Sequence, residues 1–262
     1  FNCGDPTGLV AQASAVLDQM AHSDRVRASL AAHAPYSVAP AVFSAIRAAV
    51  DRDAPCSVHL SESREEMEFI RSGTGPWRAM LEELGSWDPA WTAPGRTPVE
   101  FLNRIGFLNR GVVAVHGVQM TDADLRLIAA RGATLVTCPR SNAYTGAGNP
   151  PIQRFYDAGV RVAVGTDSLA SVEDLNVFAE LAAMRRLAPG VAASKILASA
   201  TAHGASALGF GAGYGTIQKG KRARLIAVDV PVSCDDVEEY LLSGIAPSQI
   251  HWVNTESLKS RA

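Results

Sequence analysis

Five times along this chain a short apolar run gives way to a turn and then to a stretch with helical spacing. The runs are Arg25 to Ala32, Cys56 to Leu60, Gly111 to Val115, Ala133 to Thr137 and Val160 to Gly165. Strand and helix in alternation imply parallel strands joined by right-handed crossovers. A closed (β/α)8 barrel needs eight such units, so five leave three unaccounted for. An open doubly wound sheet needs no missing units. Its dinucleotide-binding version has no support, because no Gly-x-Gly-x-x-Gly follows any run.

The helices are read from spacing and caps. Gly8 to His22 carries Leu9, Val16, Leu17 and Met20 at near-helical intervals. Pro40 to Asp51 begins with a proline suited to a first helical turn. Ser63 to Arg71 opens on Ser63-x-x-Glu66, which has capping-box spacing. Thr121 opens a helix that Gly132 ends, with Met120 and Leu125 spaced as a hydrophobic staple. Ser171-x-x-Asp174 is expected to cap a helix carrying Leu175, Phe178, Leu181 and Leu187, and Ala192 to Leu208 forms another. Gly73 to Leu108 is a long connection holding Trp77, Trp87 and Trp91, with Pro76 to Leu84 helical in part. Such a connection is either a lid or a satellite cluster of its own. Beyond Gly211 the texture changes, and Leu225 to Val230 and Ile250 to Val253 read as short strands around a polar turn.

The polar residues at the run ends carry the chemistry. Three runs end in His33, His59 and His116, the last ends in Asp167, and Cys138-Pro139-Arg140-Ser141-Asn142 follows the fourth. In parallel α/β proteins the carboxyl ends of the strands share one face, where active sites lie. Alone, His33 reads as a turn residue, His59 and His116 as partly buried histidines, Asp167 as a cap and Asn142 as a turn residue. Together, imidazoles and a carboxylate at one rim match a divalent metal site. A hydrolytic Zn²⁺ site wants three protein ligands and an open position. His59 and Asp167 supply two, and His116 is either a third or orients the water. Glu62 stands three residues after His59, where its carboxyl group can move the water's protons.

Bulk properties narrow the partners. A formal net charge of -2 gives no case for nucleic acid or an anionic membrane. No apolar run approaches a transmembrane span, and the start lacks the regions of a signal peptide and an initiator Met. Four scattered cysteines, Cys3, Cys56, Cys138 and Cys234, read as reduced thiols in a cytoplasmic protein. The expected partner is a small-molecule substrate, with a homo-oligomer possible.

His59-Leu60-Ser61-Glu62, Val115-His116-Gly117, Thr137-Cys138-Pro139-Arg140-Ser141-Asn142 and Gly165-Thr166-Asp167-Ser168 together resemble the amidohydrolase superfamily. The similarity is to the branch of triazine hydrolases, guanine deaminase and adenosine or S-adenosylhomocysteine deaminases. His33-Ala34-Pro35-Tyr36-Ser37, Ala200 to Ala205 and Gly215-Thr216-Ile217 also match it. The resemblance implies a metal-dependent TIM-type (β/α)8 barrel, here N-terminally truncated to strands four to eight over residues 1–210. Residues 211–262 would be a C-terminal piece of a small β-sandwich. It implies His59 and Asp167 as metal ligands, with Asp167 also the general base. Glu62 would shuttle protons and touch substrate, and His116 would polarise the water or hold the substrate. His33 would contact substrate and Asn142 would support the pocket. One divalent metal is implied, zinc first and iron second. The activity implied is deamination of an aminated purine-like or other N-heterocycle. Dechlorination or amide cleavage is the alternative, and a truncated, non-catalytic barrel is another. Two departures stand out: no His-x-His occurs anywhere, and Arg224 stands where the family usually has Asp.

Overall fold

The computed structural model describes residues 1–20, 23 and 25–253. Its centre is a parallel sheet of four strands: β1 (Cys56–Leu60), β2 (Val112–His116), β3 (Thr134–Thr137) and β4 (Arg161–Val164). They hydrogen-bond in sequence order, β1-β2-β3-β4. Sequential order is the winding of a barrel; a doubly wound sheet reverses at a switch point. Val58, Ala114, Leu135 and Val162 lie in one row across the register, and all four are buried. In the next row, which faces the other way, His59, Val115 and Val136 are half-buried and the small Ala163 is buried. The sheet therefore has one helix-covered face and one more open face, and His59 stands on the second.

Twelve helices surround this sheet among the described residues. α1 (Pro6–Asp18) and α2 (Pro40–Ala49) precede β1. α3 (Arg64–Ser72), α4 (Pro76–Glu83) and α5 (Pro98–Arg104) connect β1 to β2. α6 (Asp122–Arg131) leads to β3, and α7 (Pro139–Tyr144) and α8 (Ile152–Asp157) lead to β4. α9 (Val177–Leu187), α10 (Ala193–Ala200) and α11 (Ala202–Ala207) follow. A two-stranded antiparallel sheet, β5 (Ile226–Val228) with β6 (Ile250–Trp252), encloses α12 (Val237–Leu241). Phe43, Phe69, Phe107 and Phe155 are fully buried in the core, with Phe43 and Phe107 edge to face at 5.0 Å.

Several expectations need correction. Arg25 to Ala32 is not a strand. It lies against β1 through Ala32 N–H to the Ser57 carbonyl (3.1 Å) and His59 N–H to the His33 carbonyl (2.9 Å). A regular parallel ladder would have used the Ala32 carbonyl for the second bond, so the segment is one residue out of step. The Ser171-x-x-Asp174 cap does not form either. Ser171 Oγ is committed to Ser141 and to the Ser168 carbonyl, Asp174 to Arg140, and Asn176 caps α9 instead. The expected helix from Ala192 to Leu208 breaks at Thr201 (φ -123°, ψ -92°) into α10 and α11. α1 is shorter than its pattern, and 21–22 lie outside the described residues. Val10 faces the core, while Leu9, Val16 and Met20 are exposed. In the polar turn near the end, α12 forms under an Asp236 cap.

Candidate active site

The site is assembled at the carboxyl ends of the strands. His59, fourth in β1, meets the ring of His33 edge-on at 5.1 Å between centroids. His33 Nδ1 lies 2.5 Å from Ser37 Oγ, which fixes the ring's orientation. His116 arrives less directly. In the register it pairs with Leu60, which lies on the helix-covered face. Its backbone is left-handed (φ 80°), which carries the side chain out of the strand's alternation. The ring then stands 5.2 Å from that of His59. Ser61 (φ 52°) and Asp167 (φ 63°), at two other strand ends, share this backbone.

Each group has a partner that orients it. His116 Nδ1 lies 2.9 Å from Asn142 Nδ2. An amide nitrogen only donates, so Nδ1 accepts and the neutral ring carries its proton on Nε2. Nε2 is 3.5 Å from Glu62 Oε2. Burial, and then neighbouring His59, push His116 down to about 4, so the ring is neutral near pH 7. Burial and then His33 lower His59 as well. Burial, and then the charge of Asp167, raise Glu62, which makes it a better proton carrier than a free carboxyl group. Asp167 Oδ2 accepts from Ser141 Oγ at 2.6 Å. Asn142 is fully buried, so it acts on the site through His116.

A cleft of about 610 Å³ opens beside Glu62. Tyr36, Pro76, Trp77 and Met80 form an apolar wall, and Thr145, Gly146 and Ala147 stand among its other lining residues. Tyr36 and Trp77 are stacked at 4.0 Å. The long connection divides between a cleft wall and a satellite cluster. Trp77, on α4, lines the cleft, whereas Trp87 and Trp91 pack with Phe1 and Phe69 in a separate aromatic cluster. Arg78 lies 3.8 Å over Trp87 and ties α4 to that cluster.

The donor set is short for a metal. Among the described residues, no group of three or more His, Cys, Asp and Glu side chains is arranged to hold an ion. His59 and Asp167 are two donors where a hydrolytic zinc centre needs three. The other histidines do not help: His203 Nδ1 bonds the Val162 carbonyl at 2.9 Å and His251 pairs with Asp229, while His22 lies outside the described residues.

Sequence reasoning missed Tyr36, Ser141 and Glu66 as members of the site. Glu66 was read only as a capping partner. Ser63 does cap its N–H (3.2 Å), but the Glu66 carboxyl group turns away to the N–H groups of Ser61 and Glu62. Its position four residues beyond Glu62 was the available signal.

No helix among the described residues is long and apolar enough to cross a membrane. A 5-methylthioadenosine/S-adenosylhomocysteine deaminase of Desulforudis audaxviator is 34% identical over 79% of this chain. The chain spans only 45% of that protein. The structure is similar to that of a zinc-bound adenosine deaminase from Xanthomonas campestris (TM-score 0.78, 29% identity), covering 96% of this chain and 59% of that one. It shares its fold with an atrazine chlorohydrolase from Arthrobacter aurescens TC1 (TM-score 0.73, 21% identity, 98% and 59% covered). The sequence model of the amidohydrolase family matches residues 7–255, and the chain belongs to that family.

Proposed function

We propose that the protein carrying this chain is a metal-dependent hydrolase that removes the amino group from a purine-like or related N-heterocycle. The observation that carries this reading is the Glu62–His116 pair at 3.5 Å beside His59, with Glu62 also lining the cleft. The deaminases to which the chain is similar support it. In this reading β1 to β4, with the extended segment at His33, are the last five staves of a (β/α)8 barrel. His59 and Asp167 would supply two ligands of a divalent ion, zinc first and iron second; a third is not found among the described residues. Such an ion, when bound, supplies an activated water.

The chain's own residues then divide the work. Asp167 takes a proton from the attacking water. Glu62, raised by burial, gives a proton to the ring nitrogen next to the amino-bearing carbon. His116, neutral and tethered by Asn142, holds the water or the substrate with its Nε2–H. His33 and the Tyr36–Trp77 wall face the heterocycle. Asp167 returns its proton to the departing amino group, which leaves as ammonia, and the added hydroxyl gives its proton to Glu62 as it becomes a ring carbonyl group.

The test is ammonia release by the full metal-loaded protein on adenosine-type, guanine-type and other aminated heterocycles, with Glu62→Gln as the control. Turnover should fall on the order of 100-fold or more in that variant. Absence of turnover across the panel with metal bound, or release of chloride or cleavage of an amide instead, rejects deamination. The two-donor metal set favours a second reading for these 262 residues taken alone: a non-catalytic part-barrel. Stoichiometric metal in the isolated chain would reject that one.

A further inference from the structure

We propose that Glu66 is a positioning residue: its buried carboxyl group fixes the turn that carries Glu62 and so sets the point from which Glu62 exchanges protons. This rests on the role given to Glu62 above. The geometry is specific. Glu66 sits in the first turn of α3 and is 0% exposed. Its Oε1 accepts the Ser61 N–H and its Oε2 the Glu62 N–H, each at 2.9 Å. A capping carboxyl group would have taken the Ser63 N–H instead. The same turn is held from the opposite side by the end of β2. Gln119 N–H donates to the Ser61 carbonyl at 2.8 Å, and Gly117 N–H to the Leu60 carbonyl at 3.1 Å. Residues 60–62 are thus gripped on both flanks, and Ser61 is held left-handed between the grips.

Stability alone does not explain such a residue. A carboxyl group buried with two amide donors is costly compared with an apolar side chain. No cation acts on it, and its charged neighbour is Glu62 itself. What the group does supply is a fixed direction for two consecutive backbone N–H groups. That direction determines where the Glu62 side chain leaves the chain, and so its 3.5 Å approach to His116.

The test compares unaltered full-length protein, loaded with its metal, with Glu66→Gln and Glu66→Asp. Gln keeps the shape but turns an NH2 toward one of the two N–H donors. Asp keeps the carboxyl group but is too short to reach both. In each variant kcat should fall on the order of 10- to 100-fold with KM changed less than about threefold and metal content unchanged. The amide hydrogens of Ser61 and Glu62 provide a readout independent of activity. In the unaltered protein they should exchange as slowly as those of β1, although they belong to no helix or strand, and at least about tenfold faster in the variants. Full kcat in Glu66→Gln, or exchange of these two amides at free-loop rates in the unaltered protein, overturns the proposal. If the unaltered protein turns over nothing, the deaminase reading fails and amide exchange still decides the clamp. If a variant does not fold, slow or fast exchange in the unaltered protein decides it.

Discussion

The buried carboxyl group of Glu66 should make folding strongly pH-dependent. Burial, opposed by its two backbone hydrogen bonds and aided by the charge of Glu62, raises Glu66 from 4.5 to about 8. The folded protein therefore keeps a proton that the unfolded chain releases. Stability from this group is fully present below about 4.5, the unfolded value, and is lost as pH rises through about 8. A difference of roughly 3.5 pH units, at about 1.4 kcal/mol each, sets an upper bound of about 5 kcal/mol. Screening by solvent does not reduce it, because the side chain is fully buried. Glu66→Gln has no proton to release. Urea unfolding followed by circular dichroism from pH 4.5 to 9 should show the stability of the unaltered protein falling relative to that of Glu66→Gln. Glu180, raised by burial to about 7, pulls in the same direction in both proteins and cancels from the difference. If the difference stays flat within about 1 kcal/mol over that range, the reasoning from burial to linkage is wrong for this residue.

Four further substitutions probe other links. Phe69→Ala removes a fully buried ring stacked on Trp91 at 5.0 Å. It should cost about 3–5 kcal/mol in urea unfolding and shift tryptophan emission to the red. Asp124→Ala should cost roughly 2–3 kcal/mol by the same assay. Asp124 closes the capping box with Thr121 and also accepts from Thr97 Oγ1 at 2.5 Å, joining the starts of α5 and α6. Trp77→Ala should raise KM on the order of tenfold, whereas Trp87→Ala should lower thermal stability and leave KM unchanged. Equal effects on KM would undo the division of the connection into cleft wall and satellite cluster.

The four strands were legible because each is a short run of β-branched and apolar residues bounded by turns, and β1 to β4 begin and end within a residue of those runs. His59 was legible for the same reason: it stands at a strand end and faces the open side of the sheet. Arg25 to Ala32 misled because an apolar composition fixes burial but not register, and its ladder with β1 slips by a residue. α5 lies in the stretch read as a connection and went unread, although Thr97-Pro98-x-Glu100 is a reciprocal capping box with proline at the first position. The Ser171-x-x-Asp174 cap has similar spacing and failed, because Ser141 and Arg140 compete for its side chains. Those competitors lie about thirty residues away along the chain, so local spacing could not reveal them.

The site itself was legible in residue types but not in geometry, and backbone strain is the reason. Ser61, His116 and Asp167 are the non-glycine residues with positive φ among those described, and all three stand just at or past the ends of strands. Each such conformation costs about 1–2 kcal/mol, somewhat less for Asp. Glycine would remove the strain, but at His116 and Asp167 it would also remove the functional side chain. Each strained residue is held by a different fully buried polar side chain: Ser61 by Glu66, His116 by Asn142 and Asp167 by Ser141. None of the three holders is an obvious choice for a core, where an apolar side chain would bury more cheaply. Their hydrogen bonds to the strained residues give them a shared physical role: they hold the strand ends out of the regular alternation. A strand in its relaxed alternation would send His116 to the helix-covered face with Leu60, away from His59 and Glu62. The buried polar contacts are thus what bring His59, His116 and Glu62 together at the ends of an ordinary parallel sheet.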